Sequence, residues 1–202
     1  MKIIGAYESE SEGKTIFKTM VWPDSVMVRS GKPVFIPDGY PCRLRFGICA
    51  RIDAVGKSIA PRFAGRYYAE VAPMAFLMPD SVSETLEKRR DPLACDITAD
   101  YSVICGDFCP AAELPSRVVM TASVSLRDFS MPDGVVIEEN RTFDIDDIKT
   151  TTDNTISIAS VRNTLKTGDI VCTMLPGSLE PHFDGILKIY FDRKTLLVNK
   201  LK

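Results

Sequence analysis

Seven short runs rich in β-branched and aromatic residues, most of them bounded by Pro, Gly or Asp, constrain this chain more than any other feature. They are KPVFIP (32–37), LRFGICARI (44–52), DYSVICGDF (100–108), RVVMTASVSL (117–126), DIVCTML (169–175), GILKIYF (185–191) and TLLVNKL (195–201). Such residues suit a pleated, half-buried surface, and their boundaries stop a strand. PDG at 37–39 and at 132–134 and KTGD at 166–169 read as turns. With no internal repeat and no low-complexity linker, the expectation is a single domain over 1–202, mostly β with a few helices (α+β).

The best helix candidate lies between the runs. Ile59, Phe63, Tyr67 and Val71 recur every four residues and give one apolar stripe. Ser58 is placed to cap the start, and Pro61 falls in the first turn. Arg62, Arg66 and Glu70 form a neighbouring row, with Arg66 and Glu70 at helical pair spacing. Lys57, Arg62 and Arg66 around Phe63, Tyr67 and Tyr68 also suggest an anion groove, but a core-packed helix with a solvated edge is the preferred reading. A second helix is expected over SETLEKRR (83–90), and a third from about Asp144.

The net charge of -2 leaves no basic excess for nucleic acid. The opening MKIIGAYESE reads as neither a secretion signal nor a membrane span. The six cysteines, Cys42, Cys49, Cys95, Cys105, Cys109 and Cys172, lie mostly in apolar runs and read as reduced core thiols. A cytoplasmic protein is expected.

Five segments in order then resemble the fumarylacetoacetate hydrolase family: MKII, PDSVMVRSGKPVFIPD (23–38), RIDAVGKSIAPRFAGRYYAEV (51–71), VICGDFCP (103–110) and NTLKTGDIVCTMLPG (163–177). The resemblance implies a rolled β-sheet, a usually dimeric assembly, and a Mg²⁺-type cation. That ion would chelate a small oxo acid while the acid is cleaved, isomerised or decarboxylated. In such proteins three carboxylates hold the metal, a His oriented by a Glu activates water, and a Lys steadies developing negative charge.

The resemblance also implies where these groups should stand. The Glu-x-Glu positions fall on Arg45 and Gly47, and the third carboxylate on Phe76. One Lys position becomes Trp22, and another, upstream of the retained Asp100, becomes Ile97. The early loop GAYESESEGK has no His, and the Thr-Gly-Thr-Pro turn keeps only Thr173 and Pro176. The expectation is therefore a family-like protein without catalysis and without a cofactor, pairing with itself or with a related chain.

The alternative is an active hydrolase, isomerase or decarboxylase of oxo acids with a relocated site and Mg²⁺ or Mn²⁺. Its candidates are Asp100 and His182 as catalytic groups and, as weak metal ligands, Glu8, Glu10 and Glu12. Those three glutamates read more simply as a solvated loop. Asp144, Asp146, Asp147 and Asp153 lack the Gly and terminal Glu of a calcium loop and suit a helix start instead. Cys105 and Cys109 have no His nearby for zinc. Arg43, Arg45, Arg51 and Arg62 would bind a small anionic ligand if the fold gathered them.

Overall fold

A computed structural model describes residues 1–11, 14–36, 41–79, 100–128 and 135–202, without the side chains at 7–11, 14–18, 79, 127–128 and 135. The expected 83–90 helix, both PDG turns, Glu12, Cys95 and Ile97 lie outside the described residues, as do the side chains of Glu8 and Glu10.

The chain is mostly strand. The first sheet joins β1 (Lys2–Ser11), β2 (Lys14–Pro23), β3 (Met27–Arg29), β4 (Cys42–Ile52), β5 (Tyr68–Pro79), β6 (Val103–Cys105) and β10 (Ile170–Leu179). Their order is β2-β1-β10-β4-β5-β6-β3, and the short β7 (Cys109–Pro110) also pairs with β5. The second sheet has the order β12-β11-β8-β9, from β8 (Val118–Asp128), β9 (Val135–Ile145), β11 (Ile186–Phe191) and β12 (Lys194–Lys200).

The connection from β2 to β3 forces the first sheet to curl. Six strand spacings separate these two edge strands, about 29 Å if the sheet were flat. Only Asp24–Val26 join them, and four Cα steps reach about 14 Å at most. The rings of Trp22 on β2 and Phe76 on β5 meet at 6.0 Å between centroids, although four strand spacings part them along the sheet. They therefore lie on the concave side. The result is a rolled sheet, as expected.

Both faces of that sheet are apolar. On β4, Leu44, Phe46, Ile48, Ala50 and Ile52 face the main core, which they share with Val118, Met120, Ala122 and Val124 of the second sheet. Cys49 faces the other way, into a separate cluster with Ile3, Trp22, Val26, Met74, Phe76, Cys105 and Cys172. A strand buried on both faces reads as a continuous apolar run, which is why GICARI carries no alternation. β11 and β12 do alternate.

Two helix expectations need correction. Only Pro61–Ala64 (α1) is helical near the four-residue stripe, and the chain enters β5 at Tyr68. The segment before α1 is pinned to Ser160: the backbone N–H of Ser58 donates to Ser160 O and that of Ile59 to Ser160 Oγ. Ser58 adopts φ +52° and caps nothing. β5 then pairs with β4 over nearly its whole length, and a full ladder overrides a local stripe. Phe63 stays exposed beneath Arg62 and Arg66, at 4.8 and 5.0 Å. Glu70 pairs with Arg51, not Arg66.

The second correction concerns α2, which spans Ile148–Arg162. Its cap is Asp147, whose Oδ1 accepts from the Thr150 N–H at 2.9 Å. Asp144 lies within the β9 ladder opposite Val119, one residue before its end at Ile145, and pairs with Arg117 at 3.1 Å. KPVFIP is likewise a single bridge at Val34 and no strand. The KTGD turn forms with Gly168 at φ +88°.

Candidate functional site: the interior of the roll

Pairing places Arg45, Gly47 and Phe76, three of the positions that the resemblance singled out, on one surface. Arg45 stands opposite Phe76 on β5 and opposite Ser178 on β10, and Gly47 opposite Met74 and Met174. Directly opposed residues share a face, so Arg45, Gly47, Cys49 and Phe76 all face the roll's interior. Trp22 reaches the same space from β2 and is 1% exposed, while Phe76 is 2% exposed. Their planes are tilted by 32°, a favourable aromatic arrangement.

Two glycines make room for the rings. Trp22 lies over Gly5 of β1, and the Phe76 ring approaches Gly47. At Gly47 the Thr173 carbonyl is closer still: a Cβ would stand 2.0 Å from its oxygen. The pairing between β10 and β4 shifts register between Met174 and Ser178, and the β10 backbone crosses this position. Gly5 was not singled out from the sequence. The available signal was an isolated glycine within an apolar strand, which marks close approach of another group.

Thiols and apolar side chains line the rest. Cys172 is the direct partner of Cys49 across β10 and β4. Burial pushes the Cys49 thiol well above its ordinary value, and neighbouring Cys105 and Cys172 add to the shift. Burial raises Cys172 in the same way. The five described cysteines are free thiols, as expected.

The donor set decides the metal question at these positions. A Mg²⁺-type ion takes oxygen ligands. Phe76 and Trp22 offer carbon and an indole N–H, Gly47 has no side chain, and Arg45 brings a positive charge. These residues do not fit a hard divalent cation. Among the described residues, no group of three or more His, Cys, Asp or Glu side chains is placed to hold a metal ion.

Of the relocated-site candidates, Asp100 and His182 have described side chains, and they lie on different segments. Asp100 is exposed in a turn beside Tyr101 at φ +63°. His182 follows β10, and its Nε2 is buried without a hydrogen bond, 3.8 Å from Glu139 Oε1 of β9. Asp144 and Asp146 face Arg117, Asp147 caps α2, and Asp153 takes Lys149 Nζ at 2.8 Å. The four arginines do not form one group: Arg43 and Arg45 are two residues apart on one face of β4, and Arg51 and Arg62 lie elsewhere. Arg43 and Arg51 are eight residues apart on β4, roughly 26 Å. Arg51 pairs with Glu70 and stacks on Phe108 at 5.0 Å, and Arg62 lies on Phe63.

No protein-family model matches the sequence, and neither does any curated protein. Solved structures do match. A Yersinia pestis CO92 protein provisionally assigned to the fumarylacetoacetate hydrolase family superposes with a TM-score of 0.78 at 19% identity, over 100% of this chain and 92% of that one. The chain has the fumarylacetoacetate hydrolase fold. Fumarylpyruvate hydrolase from Pseudomonas aeruginosa, solved with Mn²⁺ and pyruvate, gives 0.78 at 15% identity over 100% of this chain and 89% of its own. The 5-carboxymethyl-2-hydroxymuconate delta-isomerase of Mycobacterium smegmatis gives 0.71 at 14%, over 99% and 76%. At these identities the likeness establishes the fold alone. No helix among the described residues is long and apolar enough to cross a membrane.

Proposed function

We propose that this chain is a non-catalytic protein on the fumarylacetoacetate hydrolase fold, working through association with itself or a related chain. One observation carries the reading. The places where the resemblance expects two metal carboxylates and a lysine hold Gly47, Phe76 and Trp22, and the two rings pack against each other over backbone. Arg45, at the remaining carboxylate position, adds a charge of the wrong sign.

Metal-stripped protein should be melted with and without millimolar Mg²⁺, Mn²⁺ or Ca²⁺. A ligand bound only by the folded state stabilises it by about 2.7 kcal/mol at a hundredfold excess over its dissociation constant. No shift with any of these ions is expected, and no turnover of fumarylpyruvate or oxaloacetate in their presence. A clear shift together with turnover would overturn the reading in favour of a relocated site, with Glu8, Glu10, Asp100 and His182 the first to substitute.

A further inference from the structure

The stretch from Ala54 to Ala69 carries Lys57, Arg62 and Arg66 and no acid, in a chain whose net charge is -2. All three cations are exposed. Arg62 and Arg66 hold their guanidinium carbons 4.8 and 5.0 Å from the centre of the Phe63 ring, which is itself 39% exposed. Two acids beside this group are engaged elsewhere. Asp153, near Gly65, takes Lys149 Nζ, and Glu70 pairs with Arg51. Among the described residues, neither Arg62 nor Arg66 has an ion-pair partner.

The group stands on a fixed base. Ser58 and Ile59 are bonded to Ser160 of α2, and Ile59 and Ala64 are buried in the main core. The N–H groups of Arg66 and Tyr67 close turns onto Phe63 O and Ala64 O. Val161, next to Ser160, and Val55, next to the bridge between Gly56 and Leu165, are exposed and add apolar surface at the border. Exposed arginine and aromatic side chains are the residues that dominate protein interfaces. A guanidinium held over a ring keeps N–H donors free for the two oxygens of a carboxylate. Because it is ordered beforehand, less entropy is lost on binding. A nucleobase would need an open ring face to stack on, and the two guanidiniums already lie over this ring.

We propose that Lys57, Arg62, Phe63 and Arg66 form a docking surface for an acidic segment of another protein. Carboxylates of that segment meet Arg62 and Arg66, and an apolar side chain between them lies against Phe63. The surface is outside the roll, so catalysis in the roll would leave this proposal standing, and its failure would leave the non-catalytic reading untouched.

Fluorescence anisotropy of a labelled peptide of alternating Asp and Leu tests the surface, with the same peptide carrying Asn for Asp as the control. The unaltered protein should bind the acidic peptide, more weakly as salt rises, and should not bind the Asn peptide. Arg62→Glu with Arg66→Glu should weaken binding at least about tenfold, and Phe63→Ala about fivefold. Arg62→Lys with Arg66→Lys keeps the charge but loses the fork, and should retain only part of the affinity. Melting curves that match the unaltered protein confirm that each variant is folded. No binding at millimolar peptide, equal binding of the Asn peptide, or unchanged binding by the double Glu variant would overturn the proposal. Tighter binding to phosphatidylserine vesicles or to single-stranded DNA than to the peptide, lost in the same variant, would overturn the choice of partner.

Discussion

The indole of Trp22 lies across the backbone of Gly5, so that a Cβ there would stand 2.6 Å from two atoms of its six-membered ring. Gly5→Ala must therefore displace a buried ring. Overpacking of this kind costs about 1–3 kcal/mol. Urea unfolding of Gly5→Ala should show a loss in that range, and Gly5→Ala with Trp22→Leu should lose less than the sum of the two single changes.

Gly47→Ala should be worse than Gly5→Ala. Its obstacle is the Thr173 carbonyl oxygen at 2.0 Å, fixed in the β10–β4 ladder, whereas a side chain can tilt away. A fall in soluble yield, or a larger urea shift than Gly5→Ala gives, is the expected result. Equal stability of the two variants would show that the β10 backbone yields at this point.

Trp22→Ala and Phe76→Ala each leave a cavity among buried residues and should cost about 3–5 kcal/mol. Because the rings touch, their effects should not add: a double-mutant cycle should give a coupling of about 0.5–1.5 kcal/mol. Additive losses in urea unfolding would mean that the two rings do not share one packed space.

Acid should weaken the chain's closure through Asp169, which is 3% exposed. Its carboxylate accepts from the Lys2 backbone N–H at 3.0 Å and lies 2.9 Å from Lys2 Nζ, tying β1 to the turn before β10. Burial by itself would raise this carboxyl. Hydrogen bonds from Lys2 and Lys166, with the Lys2 charge, outweigh it and hold the pKa below the ordinary carboxylate value. A lowered folded-state pKa gives stability that is complete above the unfolded value and lost as pH falls through the folded one. Stability measured from neutral pH downward should fall less steeply in Asp169→Asn than in the unaltered protein, and the variant should already be weaker at neutral pH.

The buried thiols should be silent in the native state. Cys49, Cys105 and Cys172 are at most 3% exposed, and burial raises Cys49 and Cys172. The thiolate is the reactive form. A chromogenic disulfide reagent at mildly alkaline pH should leave these three unlabelled until denaturant is added, as peptide mapping would show.

What the sequence determined by itself was the set of strands whose signal is local. LRFGICARI, RVVMTASVSL, GILKIYF and TLLVNKL became β4, β8, β11 and β12, because apolar runs bounded by turn residues have few other ways to bury their surface. The resemblance carried the rolled sheet and pointed at Trp22, Gly47 and Phe76. Tertiary structure decided the rest. The stripe Ile59, Phe63, Tyr67, Val71 fits a helix, yet β4 offers a ladder to the chain from Tyr68 onward, and its hydrogen bonds outweigh a weak local preference. β9, VVIEENRTFDI, is strand because β8 pairs along all of it, not because of its own composition. Nor could sequence show that the rings of Trp22 and Phe76, four strand spacings apart along the sheet, would meet. That juxtaposition depends on how far a seven-strand path curls, and the short link from β2 to β3 sets the curl only once the strand order is fixed.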